Sequence, residues 1–117
     1  MRVAIPVSDG LVERVFDNAA MLMVIDFRGG GRGEFFETPV TIRSLKERAL
    51  ELSAMGVDVL LCDEISHSLE SMIRATGIAV YTQRSGRADE VAESFISRDV
   101  DQGRPLHYPR PVSATIS

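Results

Sequence analysis

Apolar positions recur along this chain with two different periods. Val3, Ile5 and Val7 alternate with Arg2, Ala4 and Pro6, the period of two that sends every second side chain to one face of a β-strand. Ser8-Asp9-Gly10 closes that strand with turn residues. Met21 to Phe27 reads as a second strand and Glu34 to Thr38 as a third, joined by the turn Arg28-Gly29-Gly30-Gly31-Arg32-Gly33 into a hairpin. Between the first two strands, Leu11 to Ala20 holds no sustained period, which predicts a loop with one helical turn near Asp17-Asn18-Ala19-Ala20.

After Pro39 the period changes to that of helices. Ser44-Leu45-Lys46-Glu47 has the capping-box pattern, in which a serine and a glutamate satisfy free amides at a helix start. Leu45, Ala49, Leu52 and Met55 follow at helical spacing, Lys46, Glu47, Arg48 and Glu51 fill polar positions, and Gly56 suits a left-handed cap. Val57 to Leu61 is a short continuous apolar run, as expected of a fourth strand buried on both faces. Ser66 or Ser68 can cap a second helix with Leu69, Met72 and Ile73 on its apolar side, ending at Gly77, and Ile78 to Tyr81 is a fifth strand. Ala88, Val91, Ala92, Phe95 and Ile96 predict a third amphipathic helix, with Asp89, Glu90 and Glu93 near its N-terminus where the macrodipole favours acids. Beyond Arg98 the pattern stops, and Pro105, Pro109 and Pro111 interrupt the remaining residues.

Strands four and five are joined through a helix and are therefore parallel. The expected fold class is α/β, a mixed five-stranded sheet in the order 3-2-1-4-5, strand two antiparallel to its neighbours, with about three helices on its faces. Residues 1–98 would form one domain and 99–117 an irregular tail. In an open α/β sheet, ligands bind beside the carboxyl ends of the strands. That directs attention to the end of strand four, where Leu61 is followed by Cys62-Asp63-Glu64-Ile65-Ser66-His67.

Composition narrows the chemistry. A chain of 117 residues, 44% hydrophobic and 26% charged, can bury a core without disulfides or a structural metal. Its single cysteine excludes an intramolecular disulfide and a four-cysteine zinc or cluster site within one chain. A net charge of −4 argues against general binding to nucleic acid or anionic membrane. No apolar run approaches the ~18 residues of a membrane helix, and the start is too short and strand-like for a signal peptide, so a cytoplasmic location is expected.

Cys62 and His67 are the candidate metal ligands, a thiolate and an imidazole that could share one loop. Against them stand a small buried cysteine at a strand end and a solvated histidine, both common. Asp63 and Glu64 could meet a hard cation together with Asp9, as in a two-metal nuclease, but adjacent acids tend to point apart and one is better placed to cap the next helix. Met21 and Met23 share a strand face and are expected in the core rather than on a soft metal. His107 is read as a surface residue. The glycine-rich turn joins two strands rather than opening a helix, so it is a hairpin tip rather than a phosphate cradle.

Ile5-Pro6-Val7-Ser8-Asp9-Gly10, Phe16 and Ala19, Gly56-Val57-Asp58-Val59-Leu60-Leu61-Cys62 and Gly77-Ile78-Ala79-Val80-Tyr81 together resemble the dinitrogenase iron-molybdenum cofactor biosynthesis family, from Arg2 to about Ile96. The resemblance implies a ribonuclease H-like three-layer fold and a small accessory protein that binds or carries an iron-sulfur or iron-molybdenum cluster transiently, not an enzyme. It implies cofactor-assembly proteins as partners, with a homodimer as a further candidate. Cys62 would be the primary ligand, His67 or Asp9 secondary, with Phe16 in the adjoining loop and Ser66 orienting the cargo. Two differences stand out: Val15-Phe16-Asp17 where relatives commonly have His-Phe-Gly, and Asp63-Glu64 where they have Gly-Gly. Carboxylates repel an anionic cluster that glycine-turn amides would attract. The alternative reading is therefore a metal-free interaction or regulatory module of the same fold.

Overall fold

The computed structural model describes residues 1–28, 31–40 and 44–101. The middle of the glycine turn and the tail from residue 102 onward, His107 included, lie outside the described residues. The strands are β1 (Arg2–Ser8), β2 (Leu11–Val12), β3 (Met21–Arg28), β4 (Gly31–Pro39), β5 (Val59–Leu61) and β6 (Ala79–Tyr81), and the helices are α1 (Leu45–Ala54), α2 (His67–Ala75) and α3 (Ala88–Asp101). The sheet order is β4-β3-β1-β5-β6, with β2 paired to β1 outside that path. β3 is antiparallel to β1 and β4, while β5 is parallel to both β1 and β6. This is the expected mixed order with one short strand added.

Alternation along β1 divides the molecule into two cores. Ala4 turns to the side covered by α1 and α2, where Leu22, Val24, Leu52, Leu60, Leu69 and Ile73 gather. Val3, Ile5 and Val7 turn to the other side with Met23, Ile25, Val59 and Leu61, under Ala88 and Ala92 of α3. Met23 thus packs as core, with Met21 partly buried against the same cluster.

The helix starts follow their caps. The Ser44 hydroxyl oxygen accepts from the Glu47 amide at 3.1 Å, and Ser66 does the same for Leu69 at 3.2 Å, which settles the Ser66-or-Ser68 alternative. In α2, Leu69 and Ile73 are buried while Met72 is 39% exposed, so Met72 sits at the margin of the apolar stripe rather than inside it.

Three sequence expectations change. The segment after Gly10 is not all loop: Leu11 and Val12 pair with Ser8 and Val7, and the helical turn is a 3-10 turn at Phe16–Asn18. A two-residue strand is too short to show a period. α3 continues three residues past Arg98 to Asp101. Finally, Arg48 is not a solvated polar position but is 2% exposed.

Candidate functional site

The carboxyl end of β5 is closed by contacts drawn from three other parts of the chain: residues 81–84, residues 14–19 and, through that turn, Arg48. Cys62 donates its amide to the Tyr81 carbonyl at 3.0 Å, and its own carbonyl accepts from Arg84 at 3.0 Å, which sews the strand end to the segment after β6. Its side chain is fully buried in the cluster that contains Phe16, Leu22, Leu69 and Ile73. Burial pushes the thiol up to about 12, helped by the negative charges of Glu70, Asp63 and Asp17 and opposed by Arg74. Near neutral pH this cysteine is a protonated, sealed hydrophobe and not a ready thiolate.

Above it, residues 14–19 are stapled to the 62–67 loop. The Glu64 amide donates to Arg14 O at 2.9 Å and the Phe16 amide donates to Glu64 O at 2.8 Å, a small parallel bridge beside Val15. The Asp17 carboxylate accepts from the Ser66 amide at 2.8 Å, directly at the N-cap of α2. Ser66 in turn accepts from Leu69, so two amides of this helix start, those of Ser66 and Leu69, are held by side chains of the protein itself.

Arg48 fixes the same turn from beneath. Its Nη1 donates to the carbonyls of Phe16 at 3.2 Å and Ala19 at 2.8 Å, and the guanidinium lies 5.3 Å from the Phe16 ring centre. Burial lowers its pKa, offset by the nearby charges of Asp17 and Glu51. The sequence reading missed both Arg48 and Asp17. A signal for Arg48 was present: it lies three residues after Leu45 and four before Leu52, on the apolar stripe of α1. Asp17 carried no local signal, because its partner Ser66 is 49 residues away.

Of the residues singled out from sequence, Phe16, Cys62 and Ser66 do come together in this closed loop pair. His67 is exposed at the first position of α2 while Cys62 has no exposed surface, so the two do not face one space. Asp9 is exposed in the turn after β1, with a positive φ of 52°, and borders a cavity lined by Met23 and Ile25 on the other side of the sheet. Asp63 is half-buried and Glu64 exposed, with Glu64 3.9 Å from Arg14 in an ion pair too solvated to add much. Among the described residues, no three of His, Cys, Asp and Glu are grouped to hold a metal ion. The donor set does not fit a resident cluster: its one thiol is buried and protonated, and two amides of the helix start, those of Ser66 and Leu69, already serve Asp17 and Ser66.

Residues 1–98 match the model of the family described as dinitrogenase iron-molybdenum cofactor, and the chain belongs to that family. None of the curated proteins is similar enough to match. Among solved structures, that of PH0822 is 23% identical over 84% of this chain and 92% of its own, with a TM-score of 0.79. A candidate dinitrogenase from Methanocaldococcus jannaschii is 14% identical over 85% of this chain and 90% of its own, with a TM-score of 0.69. A candidate NifB protein from Thermotoga is 24% identical over 82% and 87%, with a TM-score of 0.67. At these identities the likeness is one of fold. Among the described residues, no helix is long and apolar enough to cross a membrane.

Proposed function

We propose that this chain serves iron-sulfur-type cofactor assembly as a small accessory protein that acts by contact with partner proteins and holds no resident cluster at Cys62. Family membership supplies the setting. The observation that carries the rest is the Asp17 carboxylate on the Ser66 amide, 2.8 Å away, over a fully buried Cys62. In the pattern this sequence resembles, that position is glycine. Here a side-chain anion takes the place at the helix start that an anionic cargo would use. In this reading the chain is not an enzyme, since no activated nucleophile or paired acid and base lines the loop.

A second reading keeps Cys62 as a transient ligand for a cluster handled as cargo. Its support is the position of Cys62 at the carboxyl end of the strand next to the central one. Anaerobic incubation with iron and sulfide, followed by desalting, optical spectra and metal analysis, separates the two. The interaction reading predicts that neither the natural protein nor Cys62→Ala retains iron. Iron retained by the natural protein and lost in Cys62→Ala would establish the carrier reading. Equal retention by both would move the site elsewhere.

A further inference from the structure

β4 ends the sheet: β3 pairs with one side of it and no described strand pairs with the other. Within it, Glu34, Phe35, Phe36 and Glu37 are all exposed, with Phe35 at 56% and Phe36 at 48%. Two consecutive phenylalanines on an open sheet edge are an aggregation hazard that proteins usually remove. Here they are kept and bracketed by acids. Phe35 lies opposite Ile25 and Glu37 opposite Met23, so both face the α3 side, while Phe36, opposite Val24, faces the α1 and α2 side and Glu34 adjoins the register shift between Ile25 and Phe27. Beside Phe35 opens a cavity of about 280 Å³ floored by Met23 and Ile25 and walled by Leu11, with the acids Asp9 and Asp89 on its border. Arg87, also there, is already paired with Asp89 and Glu90.

We propose that β4 is a docking edge for an extended segment of a partner protein carrying the pattern basic-apolar-apolar-basic. A strand added beside β4 places its side chains directly opposite Glu34, Phe35, Phe36 and Glu37, and directly opposite residues share a face. Basic residues therefore meet Glu34 and Glu37, and apolar residues meet Phe35 and Phe36, the former reaching toward the cavity. The pattern reads the same in both directions, so parallel and antiparallel addition demand the same residues. A second copy of this chain is a poorer occupant. With Phe35 opposite Phe35, Glu34 meets Phe36 and neither acid meets a base, whereas the register that sets Glu34 opposite Arg32 puts only glycines opposite Phe35 and Phe36, so no pairing of two copies serves both the acids and the phenylalanines. Backbone hydrogen bonds would supply affinity and the four side chains selectivity, as in other strand-addition complexes. This names a partner chemistry for the interaction reading above, yet its test does not involve iron, so either can fail alone.

The test uses the full chain and a fluorescein-labelled, end-blocked peptide Gly-Thr-Lys-Val-Leu-Lys-Thr-Gly, followed by fluorescence polarisation. Saturable binding is expected, weakened about tenfold by Phe35→Ser in the protein. Replacing both peptide lysines with glutamate should weaken it comparably, and the Glu34→Lys, Glu37→Lys double variant should reverse that preference. Two further peptides, N-methylated along opposite backbone edges, should differ, because only the edge facing β4 needs its amides. Leu50→Ser, at an exposed position on α1, should leave binding unchanged and shows that the effect is local. Binding indifferent to Phe35→Ser and to the charge exchange would overturn the proposal, as would equal binding of the two methylated peptides. Sedimentation showing a stable dimer that Phe35→Ser dissociates would assign the edge to a second copy instead.

Discussion

At the residue scale the decisive groups are Arg48, Asp17 and Cys62. Arg48 binds two carbonyls of the 16–19 turn while its Nη2 is buried with no acceptor among the described residues. Charged donors to buried carbonyls contribute more than neutral ones, so Arg48→Met should destabilise the fold by about 2–3 kcal/mol in urea unfolding. Arg48→Lys should recover only part of that: one ammonium can donate to both carbonyls as Nη1 does, but it loses the planar guanidinium face over the Phe16 ring. Cys62 makes stability depend on alkaline pH. Its folded pKa, raised to about 12, lies above the unfolded value. The stabilising contribution is therefore complete below about pH 9 and is lost as pH rises through about 12. Between pH 8 and about pH 10.5 the natural protein should lose on the order of 2 kcal/mol more than Cys62→Ala. Equal slopes would show that the thiol is solvated. Periodicity places Arg48 on the buried face of α1, but its acceptor Phe16 and the Asp17–Ser66 contact span 32 and 49 residues, and periodicity reports only which face of its own element a residue occupies.

At the scale of elements, β1 and the three helices were legible from their own periods, and the β3–β4 hairpin from its apolar runs on either side of a glycine-rich turn. β2 was not, since it exists only through pairing: Val12 donates its amide to Gly86 O and Glu13 to Pro6 O, both at 2.8 Å. The glycine signals were sound where a left-handed turn is required. Gly77 ends α2 with φ +97° and open space where a Cβ would stand, so Gly77→Ala is disfavoured by backbone conformation alone. A loss of about 1–2 kcal/mol is expected for it, measurable as a lowered thermal midpoint with unchanged circular dichroism. A neutral result would mean that the turn re-forms with another conformation. The capping box at Ser44 is one-sided: the serine accepts the Glu47 amide, but its hydroxyl turns to the Glu47 carboxylate at 3.3 Å.

For the whole molecule, the sheet separates two surfaces with different chemistry. The α1 and α2 side contains the closed 62–67 loop, and the edge of the sheet presents Phe35, Phe36 and their flanking acids. Cys62 is sealed by the same residues that form the first core, among them Leu22, Leu69 and Ile73. Exposing it therefore requires breaking core contacts as well as the staples from Asp17 and Arg48. The central claim is that Cys62 is closed by the fold rather than held ready as a ligand. Native-state alkylation by iodoacetamide, read by mass spectrometry across low urea concentrations, tests this most directly. The rate of Cys62 modification should be negligible without urea and should rise with the urea dependence of global unfolding. Rapid modification in the absence of urea, with no urea dependence, would mean that the thiol is accessible in the native state and would contradict the account.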